Sequence, residues 1–344
     1  MNYKKLEQYG AVNNVCLMIL AGAALTALLV YAKAVLMPFV IAYFIYMLLN
    51  TAASYMKQKF KIPIYLGLCV TVLLFLCFAV LAVLFVSNSV ETFIQSTDLY
   101  AAKVNDTIDW AILTAKKMGV ALNSDLLISY LNKIPVFNVV KTMGGNIVSV
   151  FTNFILICLF VIFIFMSSAK EKTDFVGNIE KQISLYLTVK IGVSLLIALG
   201  TFLILKAVGT ELAVLIAFLT FMLNFIPNIG PFIATALPVP VLFLQYGFDW
   251  HIILALILLT AMHFIVGNVL ETKWLGKGMD LNPVIVVACL IFWALVWGVM
   301  GALLAVPLTS IAKMIFEQYE STSPLASILA GRQIAKKGRL ILHK

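Results

Sequence analysis

Residues 212–246 read LAVLIAFLTFMLNFIPNIGPFIATALPVPVLFLQY, two apolar runs separated by PNIGP at 227–231. Each run is shorter than the about 20 apolar residues that a helix needs to cross the hydrocarbon of a bilayer. Two prolines four positions apart prevent one regular helix from continuing through the break. The stretch therefore predicts helices interrupted at bilayer depth, where freed backbone groups are tolerated only if protein buries them or they line a polar cavity.

The rest of the chain has the composition of a membrane protein. Hydrophobic residues make up 63% of its 344 residues and charged residues 11%, whereas a soluble domain has about 25% charged residues. Candidate spans lie near 13–31, 34–55, 63–86, 146–168, 191–207, 212–226, 231–246, 251–270, 283–297 and 299–316. These runs are apolar on all sides and do not alternate as barrel strands do. We predict an all-α polytopic membrane protein with about 8 transmembrane helices, interrupted or re-entrant hairpins in the C-terminal half and a small helical extramembrane region.

Four regions follow from this pattern. Residues 1–86 form N-terminal transmembrane helices, and the first of them is expected to remain as an anchor rather than to be removed as a signal peptide. Residues 87–145 form an extracytoplasmic amphipathic helical region, interpreted as a cap in preference to a ligand-binding domain. Residues 146–320 form a transmembrane transport core, and residues 321–344 a basic cytoplasmic tail. Within the core, residues 170–190 are expected to lie in the cytoplasmic interface before the next span.

The basic residues predict the orientation. If the N-terminus is cytoplasmic, 17 of the 24 Lys and Arg residues fall on the cytoplasmic side, Lys190 and Lys313 among them. Short cytoplasmic connections carry such an excess, so we predict a multi-pass protein of the inner-membrane type with both termini and the 273–280 connection in the cytoplasm. The net charge of +9 then reflects contacts with the lipid bilayer and not a nucleic-acid partner.

Enzyme chemistry has no support in the sequence. The chain has no H-E-x-x-H, C-x-x-C, G-x-x-x-x-G-K-[ST] or G-x-S-x-G motif, and its five cysteines lie inside apolar segments. Those motifs carry zinc, redox, nucleotide and hydrolase sites. We therefore expect no catalytic activity, no cofactor and no metal site.

The first candidate site is the break itself. We assign a substrate or ion pathway to Asn224, Pro227, Asn228, Gly230 and Pro231, because broken helices mark the binding sites of secondary transporters. The alternative is a proline kink at an ordinary loop.

A second candidate site lies at the end of the 251–270 span. Spacings of five and three place His263, Asn268 and Glu271 on one broad face of a regular helix, and acids near membrane depth are functional candidates. The alternative is a carboxylate at headgroup level that pairs with Lys273 or Lys277.

A third group of residues is assigned to the packing of a hairpin. Pro283, Gly298, Gly301 and Pro307 are small residues or helix breakers, and small residues allow helices to approach closely.

Three motifs resemble the autoinducer-2 exporter family of bacterial membrane proteins. They are LNFIPNIGP at 223–231, GNVLETK at 267–273, and the segment from WG at 297–298 to LAVPL at 304–308. The resemblance implies a helical exporter driven by an ion gradient, and a homo-oligomer. The predicted function is secondary active export of a small polar solute such as autoinducer-2. The alternatives are a monovalent cation (sodium)/proton antiporter and, from another class, a passive channel or a non-transporting scaffold.

Overall fold

Long apolar helices joined by short turns make up the fold. The computed structural model describes residues 3–63, 66–67, 69–77, 80, 84, 88, 147–167, 173–247, 249–275 and 281–331. The helices are α1 (Tyr3–Tyr31), α2 (Lys33–Phe60), α3 (Ile147–Ser167), α4 (Asp174–Ala207), α5 (Ala213–Leu223), α6 (Ile229–Ala236), α7 (Pro238–Tyr246), α8 (Trp250–Met262), the π-helical segment His263–Leu270, α9 (Glu271–Leu275), α10 (Pro283–Gln318) and α11 (Ser323–Leu329). Within these ranges there is no strand. The predicted all-α polytopic fold is confirmed.

Several helices have the length and surface of membrane spans. By length and composition, four stretches in the described part of the chain could cross a membrane: Lys33–Phe60, Asp174–Ala207, Trp250–Leu275 and Pro283–Gln318. The last of these is interrupted at Gly298. Large apolar side chains are exposed along them. Such continuous apolar surfaces are unfavourable in water and favourable in lipid.

The chain divides into two compact units, which are described separately. The first unit consists of Met1–Tyr46, Asn153–Lys172 and Leu281–Lys344, and the second of Met47–Thr152 and Thr173–Asp280. The predicted extracytoplasmic region 87–145 lies outside the described residues except for Asn88, and the tail beyond Gly331 lies outside them as well.

In the second unit, α4 is one continuous helix of 34 residues, about 51 Å long at 1.5 Å per residue. From Asp174 onward, no break separates the expected interfacial segment from the span that follows it. Lys190 lies buried within α4 and not in a connection between helices, and its position on the cytoplasmic side stays a prediction. Lys313 likewise lies buried inside α10. Without these two residues the split is 15 against 7, which still favours cytoplasmic termini.

Residues 213–246 form a helical hairpin, here called the first hairpin. α5 leaves the turn at 208–212 and runs for 11 residues, about 16 Å. The chain then reverses and returns to its starting point. This is shown by Tyr246 at the end of α7, whose hydroxyl donates hydrogen bonds to the carbonyls of Val208 (3.0 Å) and Gly209 (3.1 Å) at the starting turn. The length of α5 is about half of the 30 Å hydrocarbon thickness. A helix of this length that is followed by a return to the same end has the geometry of a re-entrant hairpin.

In the first unit, α10 folds back on itself in a second hairpin, residues 283–318. Gly298 has φ 65° and ψ −144°, far from helical values. The Trp293 indole N–H donates to the Thr309 hydroxyl at 3.2 Å, although 16 residues of straight helix would separate these residues by about 24 Å. The Asn282 N–H also donates to the Leu329 carbonyl, so the chain returns to where the hairpin began. The predicted break at Gly298 is confirmed, and α10 is two arms rather than one crossing.

Candidate functional site

The tip of the first hairpin is a tight turn at residues 224–228. The N–H of Ile226 bonds to the carbonyl of Leu223, Pro227 has no N–H to offer, and Asn228 adopts φ 60°. A Cβ on Gly230 would overlap the Leu223 carbonyl oxygen. Backbone therefore passes against backbone at this point, which only glycine allows.

Asn224 ties this turn to α4. Its side chain is 1% exposed, and its Nδ2 donates to the Ser194 Oγ at 2.8 Å. Its Oδ1 has no hydrogen-bond partner among the described residues. A buried polar atom without a partner is costly in an apolar interior, so this oxygen is available to a ligand.

His263 opens the π-helical segment and is buried. Its Nδ1 lies 2.9 Å from the Leu259 carbonyl oxygen and 3.4 Å from the Thr235 hydroxyl of α6. A carbonyl can only accept, so Nδ1 carries the proton, and in the neutral ring Nε2 is an acceptor. This Nε2 is also buried without a partner in the described part of the chain. π-helical turns are rare and often occur at functional sites.

The π-helical geometry separates residues that the sequence analysis placed on one face. His263 is buried whereas Asn268 is exposed, and the Asn268 carbonyl accepts a hydrogen bond from the Thr272 hydroxyl. A period of 3.6 residues was the basis of the prediction, and the wider π-helical turn changes that period.

Glu271 pairs with Lys190 of α4. The Lys190 Nζ lies 2.6 Å from the Glu271 Oε1, and their side chains are 7% and 17% exposed. In the alternative interpretation Glu271 pairs with Lys273 or Lys277, but its ion pair is with Lys190. Lys273 is exposed, and Lys277 lies outside the described residues. Glu271 therefore belongs to a largely desolvated ion pair between two helices and not to a solvated headgroup contact.

The four packing residues lie in the second hairpin of the first unit. Asn282 caps α10 by accepting from the Val284 N–H at 2.8 Å, and Pro283 follows at the first helical position. Gly301 packs so closely that a Cβ would overlap the Trp293 carbonyl oxygen, and Pro307 is buried. Gly301 thus has a close backbone neighbour, whereas Gly298 has open space around it, and the packing role of the four residues stays a prediction.

Sequence reasoning missed the α4 side of the site. Ser194 and Lys190 bind Asn224 and Glu271, and the only sequence signal was their i, i+4 spacing in an otherwise apolar run. Among the described residues, no group of three His, Cys, Asp or Glu side chains could hold a metal ion.

Apolar helices, two folded-back hairpins and buried polar groups beside a helix break define a polytopic membrane protein of the transporter class. The family model described as AI-2E family transporter matches residues 15–321. The chain therefore belongs to the AI-2E transporter family.

Two relatives that match over most of their length, and a third that matches over less than half, support this assignment. The AI-2 transport protein TqsA of Escherichia coli (strain K12) is 24% identical over 313 residues, 87% of this chain and 90% of that protein. A Haemophilus influenzae protein, named for transport without a stated cargo, is 29% identical over 336 residues, 91% of this chain and 93% of its own length. The transport protein YhhT of Escherichia coli (strain K12) is 34% identical over 149 residues, 43% of this chain and 42% of that protein.

Proposed function

We propose that the chain is a secondary active transporter of the bacterial inner membrane that exports a small polar solute, with autoinducer-2 as the first candidate, at the expense of an ion gradient. The observation that carries the proposal is the first hairpin. Its tip holds the buried side chain of Asn224 and a turn whose backbone leaves the helical hydrogen-bond pattern, between two apolar helices. The name of the relative TqsA supports the choice of cargo. The missing nucleotide motifs support an ion gradient as the energy source.

The chemistry of the site favours a hydroxyl-bearing solute. The Nε2 of His263 is a buried acceptor without a partner, and a hydroxyl group can donate to such an atom. A site built to bind a polar group discriminates strongly against analogues that lack it, since its own buried atom would then stay unpaired. Replacing His263 with Phe should therefore weaken solute recognition while keeping a ring in the same space.

The proposed setting follows from the charge bias. Both termini and the 273–280 connection lie in the cytoplasm. The family resemblance, and not the charge bias, is the basis for proposing a homo-oligomer in the bilayer. The first hairpin then starts and ends at the periplasmic end of α4. Export would require the polar groups at its tip to become accessible from one side of the membrane at a time.

Flux through the purified full-length protein in liposomes tests the proposal. Vesicles are loaded with autoinducer-2 or a panel of hydroxylated solutes, and release is followed with and without an imposed sodium or proton gradient. Gradient-dependent release that His263→Phe reduces about tenfold or more is the expected result. Release that ignores the gradient would identify a passive channel, and no release of any solute would leave a scaffold; either result refutes the proposal.

A further inference from the structure

The π-helical segment His263–Leu270 interrupts a run of regular helix beside α4. The Glu271 N–H donates to the carbonyl of Val266, five residues earlier. In a regular α-helix this N–H would bond to the carbonyl of Gly267, four residues earlier. The π-helical turn therefore holds one residue more than an α-helical turn.

The extra residue decides which side chain faces α4. Val266 packs against a buried apolar cluster of α4, which consists of Val189, Val193 and Ile197. Across the five-residue turn Glu271 lies on the same face as Val266, and its carboxylate meets the Lys190 ammonium at 2.6 Å. Leu275, one α-helical turn further, packs against the same cluster. In a regular helix the side chain one turn after Val266 would be Leu270, so the π-helical register places a charge where a leucine would stand.

A return to the α-helical register would rotate α9. One residue corresponds to about 100° of rotation about the helix axis and 1.5 Å of rise. Glu271 would then turn away from Lys190, and Leu275 would leave the α4 cluster by the same rotation. The upstream end is held in place, since Met262 packs so closely on Gly200 of α4 that a Cβ there would overlap its Sδ. The five residues of α9 are therefore the part that turns.

The two registers have opposite advantages. The α-helical register restores regular hydrogen bonds through the segment, whereas the π-helical register keeps the ion pair. The Lys190 and Glu271 side chains are 7% and 17% exposed, and a buried charge without its partner is strongly unfavourable. The pair can therefore separate only if water reaches both groups. An element with two discrete arrangements lets a small change at one end produce a large one at the other.

We propose that the π-helical segment is a register switch, and that the Lys190–Glu271 pair is the cytoplasmic gate that it opens and closes. In the π-helical register the pair holds α9 against α4, and in the α-helical register α9 turns and the pair separates. His263 opens the segment with its buried acceptor Nε2, so a solute that binds there better in one register shifts the equilibrium between them. The role as a gate rests on the function and orientation proposed above.

Deletion of Val269 tests the switch by removing one residue from the π-helical turn. Val269 is 42% exposed, so no side chain of the α4 contact is lost. In the shortened chain Glu271 follows Val266 at the α-helical spacing, and a regular helix keeps it opposite Lys190. Val269→Ala preserves the residue count and is the matched control. Both variants should fold, as circular dichroism and gel filtration will check.

A thiol on α9 reports the rotation without any solute. Leu275→Cys is introduced into full-length protein whose five cysteines are replaced by alanine, and its labelling by a water-soluble maleimide is timed in nanodiscs. Because rotation exposes this position, labelling should be about tenfold or more slower in the deletion variant than in Val269→Ala. Gradient-driven flux in liposomes should fall by a similar factor.

A cross-link tests the same switch at unchanged chain length. The Trp274 ring lies 3.9 Å from the position that a Cβ on Gly192 would occupy. A short, cleavable bifunctional thiol reagent can therefore join Gly192→Cys to Trp274→Cys and hold α9 in its present register. Flux should stop after cross-linking and return on cleavage, while the same reagent should leave the flux of Gly192→Cys alone unchanged.

The outcomes separate the switch from the proposed function. Equal labelling of the deletion variant and its control, or flux that survives the cross-link, would refute the switch. A deletion variant that is labelled slowly but transports like its control would show that the pair is not the gate. If labelling slows as expected while the parent moves no solute, the register switch stands and the proposed export fails.

Discussion

Replacing Glu271 with Gln should destabilise the second unit through Lys190, not through the lost carboxylate itself. The two charged atoms are 2.6 Å apart, and the side chains are 7% and 17% exposed. At an effective dielectric constant of about 20, such a pair attracts by about 6 kcal/mol, most of which offsets the cost of removing both charges from water. Glutamine leaves the Lys190 ammonium buried without a counter-charge. Breaking a buried pair in this way costs about 3–5 kcal/mol of unfolding free energy.

A double-mutant cycle measures this coupling. Unfolding of Glu271→Gln, Lys190→Met and the double variant is followed in mixed micelles, with Lys273→Met as the control because Lys273 is exposed on the same short helix. Each single change should cost about 3–5 kcal/mol, the double variant much less than their sum, and the control within about 0.5 kcal/mol of the parent. Single variants that lose less than about 1 kcal/mol would show that the pair is solvated like a surface pair, and the reasoning would fail.

The same variants separate a coupling role of Glu271 from a structural one. If the carboxylate takes part in coupling, the double variant recovers stability but not gradient-driven flux. If the pair only holds α4 and α9 together, flux returns with stability. Wild-type flux in Glu271→Gln would exclude a coupling role.

Three further predictions concern separate parts of the chain. Gly230→Ala should reduce flux about tenfold or more, because its Cβ would overlap a backbone carbonyl of α5. Gly267→Ala is the control and should not reduce flux, since the space around Gly267 is open. Equal flux of the two variants would refute the tight turn. A cysteine at Gly276 should be labelled only from the cytoplasmic side, and labelling from outside intact cells would reverse the orientation. Asp249 caps α8, and its hydrogen bond with His251 lowers the pKa of the carboxyl from 3.8. The Asp249 carboxylate should therefore raise the free energy of unfolding above pH about 4, and this contribution should fade as the pH falls through the lowered pKa. Acid unfolding of Asp249→Ala should lack this pH-dependent contribution.

Local sequence signals predicted the breaks and missed their partners. Pro227, Gly230 and Gly298 marked the reversals correctly. Proline fixes φ and lacks an N–H, and glycine adopts positive φ or allows close approach of the backbone, whatever the rest of the fold is. The burial of Lys190 was not predicted, because a lysine is rarely buried unless it is paired. What keeps it inside is Glu271, 81 positions later, and a pair that distant has no local signature.

His263 and Asn268 were assigned to one face because a regular helical period was assumed. No residue pattern in the sequence predicted the π-helical segment His263–Leu270.

The length of α4 has a consequence for the lipid that surrounds the protein. If Ala207 lies at the outer boundary of the hydrocarbon, residue 190 lies about 25 Å below it, close to the inner boundary of a 30 Å core. Lipids with acyl chains shorter by a few carbons would bring headgroups and water to the Lys190–Glu271 pair, while longer chains would immerse it further. Long helices also adjust to such mismatch by tilting at a modest cost, so a change in acyl chain length would alter the tilt of α4, the depth of this ion pair, or both.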